Sequence, residues 1–195
     1  MMGAVPEPVS LALMTPADVE DAVRAHIAMQ HVAYAHLADA GHAAALWTSA
    51  SERRDALLTD LAAATESAHL HEEPEARHIV ARSERGAIVG LASAFRGVGD
   101  WEHDLFGDSH VPAGVDWCLD TLYVMPGLRN EGLGQRLLDV ALPDHRDAYL
   151  WVIQGNAGAR RFYERNGFAL DGFGGRSGPD WGDLDMQRMV RRASH

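Results

Sequence analysis

The sequence predicts an α/β (α+β) domain built on one central mixed sheet, and three observations carry that prediction. Short apolar runs of strand length alternate with segments of helical period between residues 9 and 190. The stretch LDTLYVMPGLRNEGLGQRLLDVAL (119–142) passes from a buried strand to an amphipathic helix through an open glycine turn. A chain of 195 residues, 47% hydrophobic and 23% charged, is enough for one sizeable core, so residues 1–195 read as a single domain.

The elements follow in order. VSLALM (9–14) alternates Val9, Leu11 and Leu13 as a strand does. A helix then opens at TPADVEDAVRAHIAM. Thr15 suits the N-cap, Pro16 the first helical position and Asp18 the third, a carboxylate variant of the capping box. Val19, Val23 and Ile27 share one face of it. SERRDALLTDLAAATE (51–66) is a second helix with Leu57, Leu58 and Leu61 on one side. ARHIVARSERGAIVGLASAF (76–95) reads as a hairpin turning near Gly86. Residues 97–116, rich in glycine and aspartate, read as a long loop. After the stretch 119–142 comes the apolar strand DAYLWVI (147–153). NAGARRFYERNGF is a short helix that Asn156 caps and Gly167 ends. DLDMQRMV (183–190) alternates Leu184, Met186 and Val190 as a closing strand.

Composition narrows the function. Seventeen basic and twenty-eight acidic residues leave a net charge of −11. Such a surface repels nucleic acid and anionic lipid and attracts cations, amines among them. A single cysteine excludes an internal disulfide framework, and a reducing cytoplasm is the expected compartment. No secretory leader is expected from MMGAVPEPVS, and no membrane span, since no apolar run approaches ~20 residues.

The glycine turn carries the chemistry. Gly132 and Gly134 remove two Cβ atoms where strand gives way to helix, so backbone N–H groups can approach a ligand closely. A helix N-terminus leaves its first amides unpaired and carries positive partial charge. With Arg129 beside it, the turn is a cradle for an anion, most naturally a pyrophosphate. The competing reading is a tight strand–helix connection with incidental glycines.

LYVMPGLRNEGLGQRLL resembles the acetyl-CoA signature of the GCN5-related N-acetyltransferase (GNAT) family, with Val124, Pro126, Arg129, Gly132 and Gly134 at the matching positions. A second family pattern matches at Asn156, Ala159, Phe162, Tyr163, Gly167 and Phe168. Order and separation of the two blocks also fit, and the resemblance covers residues 118–168. It implies a mostly antiparallel sheet of six to seven strands flanked by about four helices. It implies direct transfer of an acetyl group from acetyl-CoA to a primary amine. Amides from Arg129, Asn130, Glu131, Gly132, Leu133, Gly134 and Gln135 would hold the pyrophosphate. The pantetheine arm would run along the splayed strand end Leu122, Tyr123, Val124 and Met125, touching Asn156, Ala159 and Phe162. A backbone N–H near Val124 or Met125 would receive the thioester oxygen. The family places its general acid at the position of Tyr163, a phenol that stays protonated at neutral pH and can donate to a leaving thiolate; its alternative role is packing beside Phe162.

The base is less marked. Many relatives carry Glu six residues before the last apolar residue of the strand, where this chain has Cys118. Asp116 and Asp120 share the parity of Cys118 on a regular strand, and Asp120, acting through water, is the expected base. Its alternative is a polar residue on a partly solvated strand face. Cys118 reads as a small core residue.

Other features stay in the background. His69, His71, Glu72, Glu73 and His78 match no zinc spacing, so a solvated acidic loop and no metal are expected. His26, His31 and His36 read mostly as surface or boundary residues, with one of them a candidate to face the acceptor site. Trp101, Trp117 and Trp181 read as packing residues or as the border of an acceptor pocket. Arg160 and Arg165 lie on a helix face that is either solvated or within reach of CoA phosphates. The acceptor is expected to be a small cationic molecule such as a polyamine, an amino acid or an aminoglycoside-like base. A protein N-terminus or lysine is the protein-substrate alternative, and a catalytically silent acyl-CoA sensor the non-enzymatic one. Family resemblance adds a homodimer as an expectation.

Overall fold

Thr15 is the first hinge of the architecture: its backbone N–H and hydroxyl both donate to Asp18 Oδ2, at 2.8 and 2.9 Å, closing the capping box at the start of the first helix. The structure is a computed structural model that describes residues 8–37, 42–107, 111–178 and 181–193. Among these, the order is β1 (Val9–Leu13), α1 (Val19–Tyr34), α2 (His42–Thr48), α3 (Ala50–His69), β2 (Ala76–Ser83), β3 (Ile88–Arg96), α4 (Asp100–Phe106), β4 (Trp117–Val124), α5 (Leu133–Ala141), β5 (Ala148–Ile153), α6 (Ala157–Arg165), β6 (Ala169–Arg176) and β7 (Asp185–Arg191).

The strands form one sheet in the order β1-β2-β3-β4-β5-β7-β6. Every neighbouring pair is antiparallel except β4–β5, which is parallel. The fold is thus the mixed, mostly antiparallel sheet that the sequence predicts. One face is covered by α5 and α6. Leu133, Leu137, Leu138 and Ala141 of α5 are buried there against Ile79, Ala92 and Leu119. Each fully buried leucine stabilises by roughly 1.5–3 kcal/mol. The other face carries α1 and α3, where Val19, Val23 and Ile27 pack with Leu61 and Val80.

Six helices are present among the described residues, against about four expected. Both additions are short. α2 is one, and α4 lies inside the segment 97–116 that reads as loop. Its glycines conceal the reason: Glu102 is fully buried, and its carboxylate accepts from Tyr149 Oη at 2.9 Å and Trp151 Nε1 at 2.8 Å. Tertiary bonds, not periodicity, hold α4. A second difference concerns α3, where Leu61 is buried but Leu58 is exposed. The histidine segment also differs from a solvated loop. His78 lies inside β2, buried, with Nδ1 2.8 Å from Ser93 Oγ and Nε2 3.1 Å from Asp60 Oδ2. Glu73 in the same segment pairs with Arg77, Arg96 and Arg146. Among the described residues, no three His, Cys, Asp or Glu side chains converge as metal ligands. No described helix is long and apolar enough to cross a membrane.

Candidate active site

β4 and β5 pair only at Cys118–Tyr149 and Leu119–Leu150. Beyond that point they part, and a cleft of about 880 Å3 opens through the sheet between Asp120–Val124 on one wall and Trp151–Ile153 on the other. The physical cause is visible in β4. Ser93 pairs with Thr121 and Ala94 with Leu119, so Asp120 is an extra residue with no partner on β3. Such a bulge bends a strand and increases its twist. The strand is therefore not regular, and the parity argument that groups Asp120 with Cys118 does not hold. Cys118 is buried beside Val115 and Tyr149, and burial, Glu102 and Asp120 push its thiol up. Asp120 is open to the cleft. Its depth in the fold pushes its carboxyl up, while the Thr121 hydroxyl, 2.8 Å from Oδ2, and the neighbouring His78 and Arg53 draw it partly back.

Ladder geometry decides which amides face the gap. Met125 N–H donates to Val89 O at 2.9 Å across the β3 side. Antiparallel strands alternate bonded and non-bonded pairs, so Val124, opposite Gly90, and Leu122, opposite Ala92, turn their N–H and C=O groups away from β3. They point into the cleft. Of the two amides that the sequence offers as oxyanion donors, that of Met125 is already bonded, and that of Val124 is the one aimed at the gap. Arg129 folds back so that its Nε donates to Val124 O at 3.2 Å.

The glycine turn follows. Asn130 and Gly132 both adopt the left-handed conformation, with φ of 67° and 80°. A Cβ on Gly132 would meet nothing within 4 Å, so this glycine answers to backbone conformation and open space. Among the described residues, the amides of Asn130 through Gln135 make no hydrogen bond within the chain. They form a row of donors at the positive end of α5. Gly134 faces α6, where a Cβ would lie 3.5 Å from the Phe162 ring, an ordinary contact. The side chains of Arg129, Asn130 and Gln135 line the cleft, whereas Glu131 is exposed and Leu133 is buried in the core.

The opposite wall comes from α6. Asn156 caps it, its Oδ1 accepting from Ala159 N at 3.1 Å. The C-terminus closes by Gly167 N–H to Glu164 O at 3.2 Å and Phe168 N–H to Tyr163 O at 3.0 Å, with Gly167 at φ 81°. That is a Schellman motif, and its customary apolar contact is Phe168 against Tyr163, ring centroids 5.8 Å apart. Tyr163 is thereby pinned with its ring buried at the cleft. Burial pushes its phenol above the ordinary range, and nearby Tyr34 adds to the shift.

Tyr34, Trp151 and Arg161 line the cleft and escape the sequence reading, whereas Tyr123, Trp101, Trp181 and Arg165 are among the residues it names. Tyr34 and Tyr123 meet with their hydroxyls 3.4 Å apart, and burial pushes both phenols up. Trp151 stacks on Phe106 at 4.8 Å. Trp101 and Trp181 also border the cleft, while Trp117 is buried in the core. Arg161 and Arg165 line the cleft, and Arg160 instead pairs with Glu164 at 2.9 Å. His26, read as a boundary residue, is enclosed at Nε2. Burial and then Arg53 push its imidazole down to about 3, so it is neutral at physiological pH. The only available signal for Trp151 was its place in the apolar run 148–153, and for Tyr34 its place at the end of α1.

Comparison with known proteins gives this geometry a context. A family model described as the acetyltransferase (GNAT) family matches residues 30–168. A Mycobacterium tuberculosis protein named "Probable N-acetyltransferase Rv2775" is 43% identical over 56 residues, 28% of this chain and 32% of its own length, so the match spans about a third of that relative. The PaiA N-acetyltransferase of Thermoplasma acidophilum, solved in complex with coenzyme A, superposes with a TM-score of 0.66 at 14% identity, covering 95% of this chain and 99% of its own. A GNAT-family acetyltransferase of Streptococcus pneumoniae superposes at 0.61 and 16% identity over 96% and 100% of the two chains. At these identities the structural likenesses speak for the fold.

Proposed function

Because the chain belongs to the acetyltransferase (GNAT) family, we propose that it transfers an acetyl group from acetyl-CoA directly to a primary amine carried by a small cationic molecule. The observation that carries this reading is the parted end of β4 and β5, with the Val124 amide on one wall and Tyr163 on the other. The free amides of residues 130–135, with Arg129, suit a diphosphate, and a bound CoA in the Thermoplasma relative supports that use. Leu122 and Val124 offer backbone groups to the pantetheine amides, as a neighbouring strand would, with Asn156, Ala159 and Phe162 along the same path.

The chemistry then needs three things. Asp120 takes a proton from the ammonium, directly or through water, and frees the nitrogen lone pair. The nitrogen attacks the thioester carbon, and the developing oxyanion is received by the Val124 amide; one such donor is worth ~3 kcal/mol of barrier. As the carbon–sulfur bond breaks, Tyr163 gives its proton to the thiolate, and the products are an N-acetyl amine and CoA. A covalent acetyl-cysteine route finds no support, since Cys118 is buried and its thiol is pushed up. Calorimetry with CoA and acetyl-CoA tests the nucleotide site, and release of free CoA thiol across an amine panel tests the transfer. Tight CoA binding with no thiol release from any amine would turn the reading towards the acyl-CoA sensor.

A further inference from the structure

The sheet face that packs on α1 and α3 carries a polar row among its apolar residues. Val80 of β2 packs there with Val19, Val23, Ile27 and Leu61. His78, two residues earlier on the strand, shares that face. It stands opposite Ser93 of β3, and Ser93 stands opposite Thr121 of β4. Directly opposed residues point to one side of a sheet, so the three side chains lie in line, none more than 7% exposed. The row is bonded at both ends. His78 Nε2 lies 3.1 Å from Oδ2 of Asp60 on α3, a side chain 45% exposed, and Nδ1 lies 2.8 Å from Ser93 Oγ. At the other end Thr121 Oγ1 donates to Asp120 Oδ2 at 2.8 Å. The register shift that frees Asp120 begins at this rung, between Ser93 and Ala94.

We propose that His78, held between Asp60 and Ser93, is a positioning residue for acetyl transfer: a cation, when protonated, that keeps Asp120 able to accept a proton at the acid end of its working range. This rests on the acetyl-transfer reading for its purpose and on the row of side chains for its geometry. The Ser93 bond leans the imidazole towards β3, and β4 is the next strand, ~5 Å further on. No direct bond joins His78 to Asp120 among the described residues, so the imidazolium acts on the carboxylate through space. It favours the ionised form of Asp120, against the burial that holds this carboxyl up. From α3, Arg53 acts in the same direction and Asp60 in the opposite one. Arg53 is itself bonded to Gln30 Oε1 and lies 3.5 Å from His26 Nδ1. From α1, the neutral His26 rests against Tyr123. On β4 itself stands the buried Cys118, with Glu102 beyond it.

The charge of Asp120 and the turnover are measured separately. The carboxyl carbon of Asp120, recognised by its absence in Asp120→Asn, is followed by NMR in the full chain as pH is varied. His78→Gln should raise its midpoint by about half a pH unit. Release of CoA thiol from acetyl-CoA with an amine acceptor should then fall about threefold relative to the parent on the acid limb. Above about pH 8, where an ordinary imidazole is uncharged, the two proteins should agree to within about 1.5-fold. Taking the ratio at each pH cancels the titration of the amine. CoA affinity should stay within about twofold, because the amides of residues 130–135 are remote from the row. His78→Asn provides the same reading if His78→Gln does not fold. An unmoved Asp120 midpoint, or a loss of turnover equal at every pH, overturns the inference, since a histidine that only completes the core gives one or the other. A moved midpoint without thiol release from any amine supports the hold of His78 on Asp120 and defeats the transfer reading. Thiol release with an unmoved midpoint keeps the transfer and defeats the inference.

Discussion

The Thr121 hydroxyl donates to Asp120 Oδ2 at 2.8 Å, at the point where β4 carries one residue more than β3. The bulge frees Asp120 from the ladder, and the hydroxyl of its buried neighbour fixes where the carboxylate points. The arrangement resembles a base held in place at some expense to the fold.

That expense has a sign. The native carboxyl of Asp120 is raised, chiefly by desolvation from its depth in the protein, even though the side chain is open to the cleft. From the ordinary aspartate value of about 3.9 up to the raised value, the native state keeps a proton that the unfolded chain releases. Stability therefore falls as pH rises through that window, and the deficit persists above it. Asp120→Asn removes the deficit. Its melting temperature should exceed that of the parent at pH 7, and the difference should close below about pH 4. Its turnover should fall by roughly 10²–10⁴-fold if the carboxylate is the base. A variant less stable than the parent at pH 7 would contradict the assigned direction.

Tyr163 gives the complementary case. Its ring is held by the Schellman closure and by Phe168, neither of which uses the hydroxyl. Tyr163→Phe should keep the fold and CoA affinity and lower kcat by about 10²–10⁴-fold. Because the phenol is raised above its usual range, it stays protonated through the working pH range and should contribute no basic limb below about pH 10. Stopped-time assays at saturating acetyl-CoA check both points.

Much of this was legible in the residues. The strand from Val9, the capped helix from Thr15, the hairpin at Gly86 and the pair Asn156 and Gly167 are local signals, and each appears where local chemistry puts it, although Leu13 of the apolar alternation is exposed and Met14 is buried instead. Gly132 is legible for the same reason, since only its own φ is at issue. What escaped depends on distant partners. α4 exists because Glu102 meets Tyr149 and Trp151, which lie more than forty positions away. The bulge at Asp120 is a mismatch between two strands and leaves no mark in either one. His78 can be buried because Ser93 Oγ and Asp60 Oδ2 partner its two nitrogens.

Gly132 and Gly134 separate conformational from steric demands. Gly132 sits at φ 80° in open space, so Gly132→Ala adds only left-handed strain, about 1–2 kcal/mol. Gly134 lies in the first turn of α5 without a positive φ, and a Cβ there would make an ordinary contact with Phe162. Alanine also favours a helix over glycine by about 1 kcal/mol. Chemical denaturation should show Gly132→Ala destabilised and Gly134→Ala not. Equal losses in both would mean that backbone conformation is not what Gly132 supplies.

Glu102 carries the last prediction, because it joins the aromatic wall to the sheet without touching the α5–α6 side of the cleft. Its two oxygens accept from Tyr149 Oη and Trp151 Nε1. Tyr149 has a second acceptor in Gly97 O at 3.2 Å, whereas no other acceptor is seen for the Trp151 indole among the described residues. Glu102→Ala therefore leaves a part-buried donor without its partner, a cost of about 1–3 kcal/mol, and opens space beneath α4. Glu102→Gln keeps one acceptor oxygen but presents an amide N–H₂ to the other donor, so its loss should fall between parent and alanine. Both variants should change tryptophan emission and weaken amine binding, because Trp101 and Trp151 lose their brace. CoA affinity should stay within about twofold, since the amides of residues 130–135 are carried by α5. Loss of CoA affinity in step with amine affinity would mean that the two sides of the cleft are held by one support rather than two.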